Sequence, residues 1–125
     1  MVVFEATLPS RFCAHCHCDN GRRAHGAAFV TWVGFAKEQF RWTAAEDIVP
    51  STTDTAATRS FCGKCGSTLT YEGPRWADEV HVVRANIAGE IAPALHVYVD
   101  HKASWWTIDD DLPQRGGTTG SELKD

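Results

Sequence analysis

Apolar side chains fall at alternate positions along much of the chain, and no long stretch repeats at helical spacing. Val2, Phe4 and Ala6 alternate with Val3, Glu5 and Thr7, which predicts a short strand ended by Pro9. Residues Ala27–Val33 are rich in β-formers and stop at Gly34. Phe40 and Trp42 flank Arg41 in a strand over Gln39–Thr43. Asp47–Thr58, with Pro50 and many small polar residues, reads as a strand edge followed by a loop. Ser67–Tyr71 alternates cleanly up to Gly73-Pro74. Val80–Ile87 is the longest strand candidate, and Leu95–Val99 is a further one between Pro93 and Asp100. A single helical turn fits Arg22–Gly26, with Gly26 as its stop. Cys13–Cys18 reads as an irregular loop. Residues 114–125 are rich in Gly, Thr and Ser and read as a mobile tail. Short strands separated by turn signals predict a mostly antiparallel β fold.

Length and composition narrow the class. The 125 residues fit one domain, and 43% hydrophobic content supplies a core. A net charge of −4 makes a nucleic-acid footprint unexpected. No apolar run approaches the roughly 18 to 20 residues that span a membrane, and the first residues lack the pattern of an export signal. Five cysteines with no export signal point to reduced thiols and the cytoplasm.

Those cysteines carry the chemistry. Cys62-Gly63-Lys64-Cys65-Gly66 is a metal knuckle: a two-residue spacer aims both sulfurs at one centre, and the glycines allow tight backbone around them. Tetrahedral zinc takes four ligands, so the knuckle is half a site. Cys13, Cys16 and Cys18, interleaved with Ala14, His15 and His17, are the other thiols. A redox pair or a buried thiol cluster is the competing reading, but the βαβ context of a redox Cys-x-x-Cys is missing. Zinc is therefore the expected cofactor.

The motif order resembles the glutathione-dependent formaldehyde-activating family, also called the CENP-V/Gfa family. The likeness rests on Cys16-His17-Cys18 with Arg22-Arg23 and Gly26-Ala27, on Arg59–Ser67 around the knuckle, on His96, and on the Trp105–Pro113 ending. It implies a twisted antiparallel, Mss4-like fold over residues 1–113. It also implies a structural zinc on two early cysteines plus the knuckle, and a catalytic zinc on three cysteines with an open position. By that resemblance Cys16 and Cys18 are retained catalytic ligands, and Cys62 and Cys65 retained structural ones. The implied activity is a carbon–sulfur lyase type: glutathione, a co-substrate, condenses with formaldehyde to S-hydroxymethylglutathione. The implied partners are a small thiol and an aldehyde, with no nucleic acid and no membrane.

Two positions depart from the family pattern. Its early Cys-x-Cys-Gly leads into a strand matched here by Val2–Glu5, so that pair would fall before Met1. Its third loop cysteine falls on Gly21, which has no side chain to ligate. Cys13 has no counterpart. Seven thiols would fill both sites and five are present, so at most about one tightly held zinc is expected, and impaired activity with it. The alternatives are a non-catalytic zinc-stabilised binding or scaffold module, and a metal-free member. Arg22 and Arg23 read first as a solvated helix turn and second as a clamp for a substrate carboxylate. His17 reads as pointing away from a metal between its two cysteines, with His15 and His25 weaker candidates still. His96 reads as a satisfied half-buried histidine, Trp32, Trp42, Trp105 and Trp106 as core and edge aromatics, and Asp109–Asp111 as a solvated strand end.

Overall fold

The structure, a computed structural model, describes residues 1–123. Its strands, in chain order, are β1 (Val3–Ala6), β2 (Phe12–Cys16), β3 (Val30–Ala36), β4 (Phe40–Ala44), β5 (Ile48–Thr52), β6 (Thr58–Cys62), β7 (Thr68–Glu72), β8 (Glu79–Val83), β9 (Leu95–Val97), β10 (Arg115–Gly116) and β11 (Glu122–Leu123). One helix, α1 (Asp19–His25), is joined by short 3-10 turns. The fold is mostly β and mostly antiparallel, as the alternation predicts. Among the described residues no helix is long and apolar enough to cross a membrane.

The chain divides into two compact units: residues 1–11 with 33–88, and residues 12–32 with 89 onward. In the first, β1 pairs antiparallel with β4, and β5, β6, β7 and β8 follow one another as an antiparallel meander. Sequential antiparallel strands need only short connections, which suits the turn signals between them. Phe4, Phe40 and Trp42 pack ring on ring across β1 and β4, with centroids 4.9 to 6.1 Å apart. On the opposite face Arg41 reaches Glu5 at 2.7 Å. Val33, Phe35, Leu69, Val80 and Val82 are buried.

In the second unit β2 and β9 pair in parallel, with His15 opposite His96. Parallel pairing joins segments some 80 residues apart, a contact that alternation cannot announce. His17 extends the pairing through its backbone N–H to the Val97 carbonyl. Cys18 then caps α1, its sulfur accepting the Gly21 N–H at 3.3 Å. Asp19 lies in the first turn and Arg22, Arg23 and His25 in the last, the charge order a helix dipole favours. Gly26, at φ +60°, ends the helix.

Several local expectations are corrected. Cys13 and Cys16 lie in a strand rather than an irregular loop, because buried Cys13, Ala14 and Cys16 make it a core strand. The helix starts at Asp19, three residues before the expected turn, because the Cys18 cap opens it. β3 runs through Gly34 to Ala36; that glycine sits within a buried strand and does not break it. The stretch expected as strand edge and loop is a hairpin of β5 and β6, turning through Ala56 at φ +64°. β8 stops at Val83, where Arg84–Asn86 forms a 3-10 turn. Tyr98, at φ +56°, ends the segment after β9 sooner than Val99. Of the expected tail, Arg115–Gly116 and Glu122–Leu123 pair as a small antiparallel ribbon. Residues 124 and 125 lie outside the described residues.

Candidate functional site

The knuckle is the connection between β6 and β7. Cys62 closes β6 and is buried, while Cys65 stands exposed in the turn. The turn is fixed by backbone: Gly66 donates to the Cys62 carbonyl at 2.8 Å, Cys62 to the Ser67 carbonyl at 2.9 Å, and Gly63 to the Asp47 carbonyl at 2.7 Å. Gly66 has φ +79°, where a side chain is strained. Gly63 needs its small size for another reason: a Cβ there would lie 2.9 Å from a Val49 methyl. The Ser67 hydroxyl, 3.2 Å from Cys65 Sγ, is the largest of the contacts that lower the Cys65 thiol pKa, followed by the Ser67 backbone and Cys62. Cys62, Cys65 and Ser67 open on a cavity of about 400 Å³ that Met1, Asp47 and Lys64 also line. Asp47 holds the terminal ammonium of Met1, with Lys64 3.8 Å away.

The second thiol place is the junction of β2 and α1. Cys16 is buried and Cys18 half-buried. Gly21 is buried within the first turn of the helix, and its φ is not in the left-handed region. A Cβ built there would lie 3.1 Å from Cys18 Sγ and 3.6 Å from Val30 Cγ2. A side chain at position 21 thus starts beside the Cys18 sulfur.

Arg22 is neither a solvated residue nor a free clamp. Its guanidinium bonds Asp19, the His101 carbonyl at 3.0 Å and the His17 carbonyl at 3.4 Å, fastening the helix to the 3-10 turn Val99–His101. Arg23 is exposed. Trp32 is buried, in contact with His25. Trp105 and Trp106 are 69% and 41% exposed, so they are not core aromatics, although Trp106 lies 5.7 Å from Phe29.

Period two sets Cys13, His15 and His17 on one face of β2 and its extension, and Ala14 and Cys16 on the other. The histidine face meets β9. His17 Nε2 lies 2.8 Å from His96 Nδ1, and His96 Nε2 lies 3.0 and 3.1 Å from the two Asp110 oxygens. The His15 ring centre is 4.9 Å from that of His96, and His15 Nδ1 is 2.7 Å from the Thr31 hydroxyl. Phe29 packs against both His15 and His17. The Leu112 N–H donates to Asp110 Oδ1 at 3.0 Å, holding the carboxylate in a turn.

Asp110 is therefore bonded rather than a free solvated strand end. Partial desolvation pulls its pKa up, but the Leu112 N–H and the His96 ring together outweigh this and hold it below the usual value. His17 is fully buried, and burial, with His96 adding to it, lowers its pKa to about 4. Burial also lowers His15, again with His96 second. His96 is 2% exposed and engaged at both nitrogens, which agrees with a satisfied histidine.

Within the described residues, His15, His96 and Asp110 form the one group of three His, Cys, Asp or Glu whose ligand atoms lie within 4.8 Å of one another. No thiol belongs to it. Among the described residues neither Cys16 with Cys18 nor Cys62 with Cys65 falls in such a group of three. A catalytic zinc takes three protein ligands and a structural one four.

A family model described as glutathione-dependent formaldehyde-activating enzyme matches residues 1–101. The chain belongs to this family. Among solved structures, a Rhodobacter sphaeroides protein superposes with a TM-score of 0.61 at 22% identity, over 72% of this chain and 83% of that one. At that identity the likeness speaks for the fold. No curated protein matches the chain.

Proposed function

We propose that this chain is a Gfa-like protein whose glutathione–formaldehyde condensation is impaired at the catalytic loop. The reading is supported by Gly21. Family membership brings the expectation of a thiolate-bound zinc, with Cys16 and Cys18 as its retained ligands. Position 21 is the third ligand place by motif, and its Cβ direction lies 3.1 Å from Cys18 Sγ. A glycine there removes one of three thiolates. When bound, zinc would lower the pKa of a substrate thiol and hold the thiolate beside an aldehyde. Cys18 would then serve twice, because its sulfur is also the helix cap.

The knuckle pair, Cys62 and Cys65, would serve structure, and a bound zinc there needs ligands from outside the pair. Retention of the knuckle with loss of the loop site gives the second reading, a zinc-stabilised binding module without turnover.

The test is formaldehyde consumption with glutathione, corrected for the spontaneous reaction, in the unmodified chain and in Gly21→Cys. We expect little turnover in the first and a clear gain in the second. Full turnover in the unmodified chain overturns the proposal. No gain in Gly21→Cys, despite tighter zinc, favours the binding module.

A further inference from the structure

The histidine face of β2 has His15, His96 and Asp110 in one group, each held in place by a further residue behind it. His15 has its Nδ1 committed to Thr31, which leaves Nε2 as the free ring nitrogen. His96 has its Nδ1 committed to His17, which leaves Nε2 on the side of Asp110. Asp110 is steadied by Leu112. A metal-binding histidine characteristically uses one nitrogen for the ion while a partner holds the other, and both histidines have that arrangement here.

We propose that His15, His96 and Asp110 form a binding site for a divalent first-row transition-metal ion, separate from the cysteine motifs. Two imidazoles and one carboxylate, with positions left open, are a recognised donor set for such ions. Ligands at about 2.1 Å from a common ion stand no farther apart than about 4.2 Å. Their atoms lie within 4.8 Å, so side-chain shifts of about half an ångström close the site. The Asp110 side chain is 42% exposed and gives the ion an entrance, while Phe29 covers the His15 ring. This proposal does not depend on the thiol reading.

The inner histidine gives the site a signature. A carboxylate only accepts, so without metal His96 Nε2 carries its proton toward Asp110, and His96 Nδ1 accepts from His17 Nε2–H. His17 Nδ1 is then a bare nitrogen, and it is indeed buried with no hydrogen-bond partner. Metal on His96 Nε2 displaces that proton. The neutral pair responds by shifting: His96 donates from Nδ1 to His17 Nε2, and His17 carries its proton on Nδ1. The pair keeps the same proton count, and both rings exchange tautomer.

Cobalt(II), added alone to the metal-stripped full chain, tests the site. The expected result is one bound ion with weak visible bands and no intense near-ultraviolet band from thiolate coordination. Asp110→Asn and His15→Ala should each lower the affinity at least tenfold. A first equivalent that shows the thiolate band, affinity unchanged in Asp110→Asn, or no binding at millimolar cobalt overturns the proposal. A variant that unfolds does not leave the matter there, because ring-nitrogen magnetic resonance on the unmodified chain with zinc reads the same event. His15 and His96 Nε2 should take on metal-bound shifts and His17 should exchange its protonated nitrogen. Unmoved histidine signals with zinc bound overturn the proposal equally.

Discussion

The knuckle and the histidine cluster are both compact groups of metal-binding residue types, and they are held together in opposite ways. The knuckle is local: Cys62 and Cys65 are placed by one turn whose bonds are backbone to backbone. The Ser67 hydroxyl touches Cys65 Sγ, but that thiol is exposed. The histidine cluster is assembled from three separated segments, and every ring nitrogen except His17 Nδ1 and the outer nitrogen of His15 has an assigned partner. In the first the backbone orients the side chains; in the second the side chains orient each other. The two should therefore fail differently when a residue is changed.

The largest expected difference is between His96→Ala and Cys65→Ser. Removing His96 leaves a cavity in a buried site, strips His17 Nε2 of its partner and frees Asp110. A lost buried partner alone costs about 1 to 3 kcal/mol, and with the cavity the loss should be about 3 kcal/mol. Cys65→Ser, at an exposed position, should stay within about 0.5 kcal/mol. Urea unfolding of the metal-free proteins measures both. Equal losses would abolish the contrast between side-chain and backbone control.

Next is Gly66→Ala. The left-handed φ of +79° penalises a Cβ by about 1 to 2 kcal/mol, although open space surrounds it. The same unfolding measurement should show that loss, larger than that of Cys65→Ser. A neutral Gly66→Ala would mean that the knuckle turn relaxes and that its backbone is not what places the thiols.

This contrast also governs what the sequence could tell. The knuckle was legible because two cysteines and their glycines sit within five residues. Of the antiparallel meander, β7 and β8 were legible from their alternation and the turn between them, whereas β5 and β6 read as a strand edge and a loop because Pro50 and small polar residues hide the alternation. The His15–His96–Asp110 group was not, because it depends on the parallel register of β2 and β9, and nothing in either segment specifies a partner 80 residues away. A partial signal existed: His15 and His17 at alternate positions share a strand face, but only if Cys13–Cys18 is read as extended, and its crowd of cysteines argued for a loop. Asp110 looked like solvent-facing charge among Asp109 and Asp111, and only the tertiary structure singles it out. At Gly21 the sequence shows, through the family resemblance, a glycine where a third loop cysteine is expected. That it sits in a helix, where the backbone suits any residue but a Cβ crowds Cys18 Sγ, required the Cys18 cap to be seen.

Acid should act mainly on the histidine-rich unit. His15 and His17 both have pKa values lowered chiefly by burial. In the knuckle's unit His81 is lowered too, by burial first, with Glu79 opposing. Glu79 also binds Arg11, and Tyr71 and Trp76 flank the His81 ring. A histidine kept neutral by the fold takes up a proton on unfolding. Its contribution to stability is complete above the ordinary imidazole pKa, about 6.5, and is lost as pH falls through the lowered folded value. Stability should therefore decline as pH drops below about 6.5. His81→Gln should flatten only the smaller part of that decline. Unfolding curves at several pH values check this; a profile unchanged by pH, or one made wholly flat by His81→Gln, contradicts it.

The smallest expected effect is that of Gly21→Ala, and it decides how Gly21→Cys is to be read. Position 21 is helical with ordinary φ, so replacing glycine should gain about 0.5 to 1 kcal/mol from helix propensity. Against this, the new Cβ would lie 3.1 Å from Cys18 Sγ, closer than comfortable contact, and the sulfur is not free to retreat because it caps the helix through the Gly21 N–H. A small shift of Cys18 would weaken that cap, which is worth about 1 kcal/mol when the cap is an oxygen and less for sulfur. The two effects are similar in size and opposite in sign, so Gly21→Ala should change stability by no more than about 0.5 kcal/mol. It should also leave zinc affinity where it was, because alanine brings the crowding without a ligand. If this holds, any rise in zinc affinity or turnover in Gly21→Cys comes from the added sulfur. A large loss of stability in Gly21→Ala would show instead that Cys18 tolerates no neighbour. The glycine would then be there to spare the helix cap, and its failure to ligate would be incidental.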